Sequence, residues 1–308
     1  MTHVLIRNVV SRFSSLLSSG PSRPQGISAI VRTRDSELWL EPCLSSVEPF
    51  VEEILIVDNG SKDGTLKIAE SFRQQFSEKI RFFSVPALDL TAQSEFAFHH
   101  TKYHWVLKWD SDFVAHTCGA LSLAHLRAFL LGLNDRMHYY VQLPMVELSP
   151  DLYHQLRALP IRRDGFALTY SPRLHFVWNS HTLTHEQLPG YYHAFQKRKV
   201  IELRTGVEAP KIPLNYRVIA WDKTCFFHLN IKSPEQRLLR HFNQQWLEEK
   251  QTISLRDYVK KRLNEDFGGE SFAAASRRLM QAYAQDLIDF EPEKFGGYPD
   301  LLKKFLKT

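Results

Sequence analysis

Two carboxylates flank one small residue in Asp110-Ser111-Asp112, a segment that follows the apolar run from Trp105 to Trp109. Because side chains alternate along an extended chain, Asp110 and Asp112 point to the same side where this predicted strand ends. Carboxylate oxygens in this arrangement can share a hard divalent cation or hold it beside a ribose. The pair therefore predicts a site for a metal-bound diphosphate, although a lone Asp-x-Asp is also common in ordinary turns.

A second aspartate ends another predicted strand upstream. Residues 51–57 are mostly apolar and lead into Asp58; a glycine-containing turn follows, and Asp63-Gly64-Thr65 is typical of the start of a helix. The predicted strand that begins at Ile27 also ends in polar residues. In open α/β sheets, ligands bind beyond the carboxyl ends of the strands. The three strand ends therefore predict a nucleotide pocket.

These segments resemble family-two glycosyltransferases of the GT-A fold. Three blocks carry the resemblance, in the order of the family: Ile27 to Arg34 as the first strand, Ile54 to Thr65 as the IVDNGSxDGT segment, and Trp105 to Asp112 as the WVLxxDxD segment. Together they cover about the first half of the chain. The resemblance implies an α/β fold in which a mostly parallel, Rossmann-like sheet is flanked by helices.

A softer similarity follows in the second half of the chain. Pro172 to Phe176, Thr184-His185-Glu186 and Phe227 to Gln236 are similar to the RLF, HE and H succession of a bacterial branch that includes lipopolysaccharide-core enzymes. This similarity implies a role in polysaccharide biosynthesis, with a glycan or glycolipid as the acceptor.

The resemblance also implies which residues bind the donor, a nucleotide diphosphate sugar, with a UDP-sugar expected. Asp58 would accept a hydrogen bond from the uracil or ribose, and Asp110 would meet the ribose. Asp112, with Asp110, would bind Mn²⁺ or Mg²⁺, and His228 stands where GT-A enzymes often place a third metal ligand. The other residues expected around the donor are Thr33, Arg34, Asn59 and Gln93. The alternatives are a turn or capping role for Asp58 and a structural role for His228.

Inversion at the anomeric carbon needs a base that accepts the proton of the attacking hydroxyl. Glu186 is the first candidate, through the His185-Glu186 match, and Asp222 is the second. A capping or surface role for Glu186 is the alternative. If neither residue acts as the base, a retaining reaction becomes the better hypothesis.

The sequence thus predicts a metal-dependent, inverting glycosyltransferase, and two alternatives stay open. A GT-A-like nucleotidyltransferase usually has a glycine-rich, basic loop after the first strand, and Arg32-Thr33-Arg34-Asp35 lacks the glycines. A non-catalytic nucleotide-sugar-binding protein is disfavoured by the retained Asp110 and Asp112. Two departures from the family concern the donor: Phe113 replaces an acidic residue, and Ala92-Gln93-Ser94 replaces Ala-Arg-Asn, so that segment lacks a phosphate-facing arginine.

Composition narrows the class of protein. The 308 residues are 44% hydrophobic and can bury a large core. Three scattered cysteines argue against a disulfide framework or a zinc cluster and favour a reducing compartment. A net charge of +5 suits an anionic substrate but is too mild to indicate nucleic acid. The fourteen histidines include no HExxH and no pair spaced along one helix face, so we expect most at the surface or in packing.

Hydrophobic periodicity predicts the elements that position these residues. Strands are expected from Ile27, Glu53, Ile80 and Trp105, separated by helices over 37–49, 64–76 and 91–102. A helix over 121–133 and a strand over 139–148 follow, residues 151–208 have no steady period, and helical spacing returns from Ser233 through Leu287.

Composition breaks define the predicted domains. Residues 1–26 form an N-terminal segment and linker, 27–232 a GT-A domain, and 233–308 a helical C-terminal extension; within the domain, 27–115 is the nucleotide-binding half and 116–232 the acceptor half. The first apolar residues are too few and too interrupted to span a bilayer. They predict either an amphipathic helix for peripheral membrane association or a segment docked on the domain, in a cytoplasmic protein.

Overall fold

The structure, a computed structural model, describes residues 9–14, 16–17, 23–86, 88, 90–157, 161–172, 174–178, 193–196, 199–202, 208–211, 215–249 and 252–306. Strands and helices alternate in its first part, in the order β1 (Ile27–Thr33), α1 (Leu40–Val47), β2 (Glu53–Asp58), α2 (Thr65–Gln75), β3 (Ile80–Ser84), α3 (Leu90–His100) and β4 (Trp105–Asp110). Each strand and helix predicted over this range is present.

The first four strands form a parallel sheet in the order β3-β2-β1-β4. Every residue of β1 and β2 is buried, because helices cover both faces of the sheet. This is why these strands are continuous apolar runs without alternation. One face packs with Leu40 and Leu44 of α1, and the other packs with Phe98 of α3. The carboxyl ends of the parallel strands lie at one edge.

The sheet continues with strands from the second half of the chain. The elements are β5 (Phe113–Ala115), α4 (Leu123–Leu131), β6 (His138–Leu148), β7 (His154–Leu156), β8 (Arg162–Thr169), β9 (His175–Trp178), β10 (His193–Gln196), β11 (Lys199–Glu202), β12 (Glu208–Lys211), β13 (Tyr216–Ala220) and β14 (Phe226–Leu229). β8 pairs antiparallel with both β4 and β6, and β14 pairs antiparallel with β5. β9 pairs with β12 and β10 with β11 in separate two-stranded sheets.

Helices return after β14. They are α5 (Pro234–Glu248), α6 (Leu255–Phe267) and α7 (Phe272–Ala284), followed by β15 (Leu287–Asp289) and the short α8 (Asp300–Lys303). Ser254 and Ser271 cap α6 and α7 by accepting backbone N–H groups, and Gly268 ends α6 in the left-handed conformation. The three long helices share a small core, which includes Phe242 and Tyr258.

The chain folds into two compact units. The first comprises Met1–Val146, Ile161–His228 and Glu291–Thr308, and the second comprises Glu147–Pro160 and Leu229–Phe290. The predicted domain boundaries at 26/27 and 232/233 stay predictions. Among the described helices, none combines the length and the apolar character needed to cross a bilayer.

Two local predictions differ from the structure. Residues 151–208 lack a steady period, yet β8 forms there because it fills the space between β4 and β6. Leu287 lies in β15, which pairs with β7, rather than in a continuing helix. Both outcomes depend on strand partners far away in sequence. The predicted α/β fold class, with a Rossmann-like sheet followed by a helical C-terminal extension, is confirmed.

Candidate functional site

The polar ends of β1, β2 and β4 lie side by side. Thr33 is the register partner of Asp58, and Arg32 is the register partner of Asp110. Three neighbouring parallel strands therefore bring their polar residues to the same edge of the sheet, where ligands of open α/β sheets bind. We call this the strand edge.

The loops that follow β1 and β2 are bonded to each other. The N–H of Asp35 donates to Ser61 Oγ at 2.9 Å, and the N–H of Lys62 donates to Asp35 Oδ1 at 2.8 Å. The N–H of Ser36 donates to Thr65 Oγ1 at 2.7 Å. Asp35 has a φ of 49°, which aspartate tolerates because its short polar side chain bonds locally. Side chains of each loop thus satisfy the backbone of the other.

Two further bonds extend this arrangement to the start of α2. The N–H of Glu37 donates to Asp63 Oδ2 at 3.1 Å, and the N–H of Gly64 donates to Glu37 Oε2 at 2.6 Å. A Cβ on Gly64 would lie 2.7 Å from the same glutamate oxygen, so glycine permits this close approach. The polar residues from Ser61 to Thr65 therefore lie at the strand edge and also form the hydrogen bonds that hold its loops together.

Asp58 holds the turn that follows β2. Its side chain is buried, and its carboxylate accepts hydrogen bonds from the N–H of Gly60 at 2.9 Å and from the N–H and Oγ of Ser61. Gly60 has a φ of 73°, the left-handed region that glycine adopts without a Cβ penalty. The contacts described for Asp58 are those of a turn aspartate, and its role toward a uracil or ribose stays a prediction.

Asp110 is paired with a buried arginine. The Nε and Nη2 atoms of Arg32 donate to Asp110 Oδ1 at 3.0 and 2.5 Å, and Arg32 Nη1 donates to Ser94 Oγ at 2.8 Å. Burial by itself would raise the pKa of Asp110, but the charges of Arg32 and Lys108 oppose it and hold that pKa below its ordinary value. Asp110 is therefore ionised at neutral pH.

The turn from Asp110 to Asp112 is anchored through its central residue. The N–H of Ser111 donates to the carbonyl of Arg32 at 3.2 Å, and the hydroxyls of Ser111 and Ser36 lie 2.8 Å apart. Ser111 is buried, and its hydroxyl joins this turn to the loop that follows β1. This anchoring fixes the direction of the chain at Asp112.

Asp112 meets a histidine that is far away in sequence. β5 and β14 pair antiparallel with Phe113 opposite His228, and this register brings His228 Nε2 to 3.4 Å from Asp112 Oδ2. Both side chains are largely buried, with 16% of Asp112 and 14% of His228 exposed. A carboxylate oxygen and an imidazole nitrogen this close are two groups that can bind one divalent cation. Asp110 does not join them in a group of three whose ligand atoms all lie within 4.8 Å of one another. The predicted metal residues Asp112 and His228 are thus brought together.

Two of the residues predicted to bind the sugar donor, Thr33 and Asn59, lie where β1 and β2 end. Thr33 is buried, and its Oγ1 has no hydrogen-bond partner among the residues that the structure describes. The N–H of Asn59 donates to the Thr33 carbonyl at 3.0 Å, which continues the β1–β2 ladder by one bond. Both residues are at the strand edge, as predicted.

The other two differ in exposure. The Arg34 side chain is 65% exposed, and its Nε lies 3.9 Å from Asp35 Oδ2. Gln93 is buried near the start of α3, where its Nε2 donates to the Leu88 carbonyl at 3.3 Å. Neither contact indicates a ligand, and both roles stay predictions.

The structure describes only one of the two candidate bases. Glu186 lies outside the described residues. Asp222 is exposed after the end of β13, and the neighbouring Trp221 stacks on Phe129 of α4 with ring centroids 4.0 Å apart. Its assignment as the base is untested.

Arg32 is a site residue that the sequence did not single out. The available signal is a charged residue at the penultimate position of β1, directly after the apolar run Ala29-Ile30-Val31. A charged group that is 7% exposed requires a partner, and Asp110 becomes that partner only once β1 and β4 pair in register. Arg32 also contacts Ser94, in the segment where the expected arginine is absent.

The comparison with solved structures gives a likeness to TarS of S. aureus. The crystal structure of its residues 1–349 aligns with 79% of this chain and 72% of that chain, at 15% sequence identity and a TM-score of 0.39.

Curated relatives match the N-terminal part. The chain is 33% identical over 86 residues to the lipopolysaccharide core biosynthesis glycosyltransferase LpsC of Rhizobium meliloti (strain 1021), which covers 28% of this chain and 31% of the relative. It is also 33% identical over 86 residues to an uncharacterized glycosyltransferase of Rickettsia bellii (strain RML369-C), covering 28% of this chain and 27% of that relative. The aligned region thus spans less than a third of either relative.

The family comparison covers the strand edge itself. The family model described as Glycosyl transferase family 2 matches residues 28–118, a range that contains β1, β2, β4 and the turn through Asp112. Residues 28–118 are therefore similar to glycosyl transferase family 2, the family that the sequence blocks predicted.

Proposed function

We propose that this protein is a metal-dependent glycosyltransferase. It transfers a sugar from a nucleotide diphosphate sugar, a UDP-sugar above all, to a hydroxyl of a glycan or glycolipid, with inversion at the anomeric carbon. The family match over residues 28–118 supports the reaction class. The observation that carries the proposal is the contact between the side chains of Asp112 and His228, which lies just beyond Asp110, the last residue of β4.

Asp112 and His228, with Asp110 beside them, would hold Mn²⁺ or Mg²⁺. Bound there, the ion supplies positive charge to the diphosphate and to the leaving group as its charge develops. Asp110, kept ionised by Arg32, accepts hydrogen bonds from the ribose hydroxyls. Arg32 adds a fixed cation at the same edge, from β1 instead of from the segment around Gln93.

The transfer is a single displacement. Glu186, or else Asp222, accepts the proton of the acceptor hydroxyl while that oxygen forms a bond to the anomeric carbon. The bond between this carbon and the diphosphate oxygen breaks at the same time, and its electron pair leaves with the nucleoside diphosphate. Configuration is inverted because attack and departure occur on opposite faces.

Two separate observations support the proposed acceptor and the proposed location of the protein at a membrane. The relative from R. meliloti is named as a lipopolysaccharide core enzyme, which makes a glycolipid sugar the first acceptor to test. Near the N-terminus, Val9, Phe13, Leu16 and Leu17 are 57%, 66%, 79% and 82% exposed, and these apolar side chains support peripheral contact with the cytoplasmic membrane.

A thermal-shift panel tests the donor assignment. The full chain is heated with UDP, GDP, CDP, uridine or UDP-sugars, each with Mn²⁺ or with EDTA. A ligand that binds only the native state at 100 times its Kd adds about 2.7 kcal/mol of stability, so UDP with Mn²⁺ should raise Tm clearly. Uridine, which lacks the diphosphate, is the matched control. If no nucleoside diphosphate raises Tm in the presence of Mn²⁺, the proposed function is wrong.

A further inference from the structure

A second cluster of metal-binding side chains lies on the outer part of α3, apart from the Asp112–His228 pair. Glu95 and His99 are one helical turn apart, and His175 begins β9. The Oε1 atom of Glu95 is 2.9 Å from His99 Nε2 and 2.7 Å from His175 Nδ1. One ligand atom from each residue lies within 4.8 Å of the others. Two imidazoles and a carboxylate therefore converge on one point.

The carboxylate in this cluster is oriented by the backbone. The N–H of Phe176 donates to Glu95 Oε2 at 2.8 Å, which leaves Oε1 directed at the two imidazoles. In metal sites, ligating carboxylates are commonly held by such a second hydrogen bond. Burial by itself would raise the pKa of Glu95, but the Phe176 N–H and both histidines outweigh it and hold that pKa below its ordinary value. The carboxylate is therefore ionised at neutral pH.

We propose that Glu95, His99 and His175 bind one Zn²⁺ ion. Two imidazoles and one carboxylate form a ligand set suited to Zn²⁺. At zinc–ligand distances of about 2.0–2.1 Å, tetrahedral ligand atoms are about 3.3 Å apart. The observed 2.7 and 2.9 Å separations need only small outward shifts to reach this value. His175 is 59% exposed, so water can supply the fourth ligand.

The ion would join two separate parts of the fold. α3 also carries Ser94, which contacts Arg32 at the strand edge, whereas β9 pairs with β12. The chain between β9 and β12 includes the candidate base Glu186. Zinc binding would therefore fix the start of the segment that leads to Glu186 against the helix beside the strand edge. The proposal does not depend on the reaction that the strand edge performs.

Calorimetric titration of the metal-free full chain with Zn²⁺ tests this site. The variants are His99→Ala, His175→Ala and Glu95→Gln, and His100→Ala is the matched control. His100 is the next residue on the same helix, and its Nδ1 contacts the Phe96 carbonyl rather than the cluster. We expect a Zn²⁺-binding event that is weakened by at least about tenfold in the three variants and unchanged in His100→Ala. Asp112→Asn should retain this event, because Asp112 belongs to the other pair; any Zn²⁺ bound at that pair is a separate event that Asp112→Asn removes.

Cobalt gives a second readout that reports the ligands directly. Co²⁺ in a tetrahedral site of nitrogen and oxygen ligands produces visible absorption bands, which should appear with the unmodified chain and vanish in His175→Ala. Circular dichroism verifies that each variant is folded. If an alanine variant does not fold, Glu95→Gln still tests the site, because it retains the shape of the side chain. Failure of the unmodified chain to bind Zn²⁺, or equal binding by folded His99→Ala and His175→Ala variants, would show that the cluster is only a hydrogen-bonded tether.

Discussion

Arg32 and Asp110 face each other across neighbouring parallel strands, and two nitrogens of the arginine contact the same carboxylate oxygen. Arg32 is 7% exposed and Asp110 is 30% exposed, so solvent screens this pair only in part. The contact keeps Asp110 ionised. It also places an arginine at the strand edge, although the segment Ala92-Gln93-Ser94 of α3 lacks the arginine expected there. If Asp110 binds the donor as proposed, this pair couples stability to ligand binding.

Replacing Arg32 should destabilise the protein. Arg32→Met leaves the Asp110 carboxylate partly buried without its cation, and we expect the free energy of unfolding at pH 7 to fall by about 2 kcal/mol. Arg32→Met combined with Asp110→Asn should cost less than the sum of the single variants, because neither charge is left alone. Urea unfolding measures all three. Additive losses would mean that the contact contributes nothing to stability.

Removing either proposed metal ligand should weaken metal-dependent donor binding while the fold persists. Asp112→Asn and His228→Gln are expected to weaken the Mn²⁺-dependent binding of UDP by at least about tenfold, since each loses one ligand atom. Calorimetry with Mn²⁺ and UDP measures the change. Asp257→Asn, the same substitution at an exposed position of α6, is the control. Full Mn²⁺-dependent binding by Asp112→Asn would contradict the metal role.

Glu186→Gln tests the first candidate base. The amide keeps the shape of the side chain but takes no proton, so the transfer rate should fall by at least roughly a hundredfold while donor binding stays nearly unchanged. Asp222→Asn is assayed in parallel with the same donor and acceptor. Normal transfer by Glu186→Gln together with a loss in Asp222→Asn would move the base to Asp222. If both variants are active, NMR of the product's anomeric configuration should reveal retention.

His104 should make stability depend on pH. Burial, helped by the nearby His138, lowers the pKa of His104 to about 4. The unfolded chain binds this proton below about pH 6.5, so unfolding is favoured as pH falls from about 6.5 toward 4, by up to about 1 kcal/mol per pH unit. Above pH 6.5 the contribution is fully present. Urea unfolding at several pH values should show a smaller pH slope in His104→Gln, and an equal slope would contradict the assignment.

Two glycines with similar backbone angles separate strain from contact. Gly60 and Gly119 have φ values of 73° and 77°, but a Cβ on Gly60 would lie 3.0 Å from Pro86 Cβ, whereas a Cβ on Gly119 meets no atom within 4 Å. Gly119→Ala should cost about 1 kcal/mol from the left-handed conformation alone. Gly60→Ala should cost more, because the turn held by Asp58 must also shift. Equal losses in urea unfolding would show that the Pro86 contact relaxes freely.

The strands and helices of residues 27–115 could be predicted from sequence because their signals are local. The parallel strands β1, β2 and β4 are largely apolar and buried, and both β2 and β4 end in an aspartate. β8 could not be predicted, because its place depends on β4 and β6 rather than on its own periodicity. Antiparallel pairing over long sequence separations leaves little trace within a single segment.

The candidate site divides in the same way. Asp112 was predicted from its position at a strand end and His228 from the family resemblance, and the register of β5 with β14 brings them together. Arg32 was missed because its partner is defined only by the register of β1 with β4. The Glu95 and His99 pair has helical spacing, but His175 joins it only in the folded chain. Residues that act across strands need the tertiary structure to be recognised.

The interlocked loops after β1 and β2 bear on how a donor would bind. Their backbone N–H groups at Asp35, Ser36 and Lys62 already have side-chain partners before any ligand arrives. The conformational entropy of these loops is therefore lost during folding, so donor binding would not lower it a second time. An edge organised in this way discriminates between ligands by fit to a rigid surface, so its affinity should depend little on loop closure and its amide protons should exchange slowly with or without nucleotide.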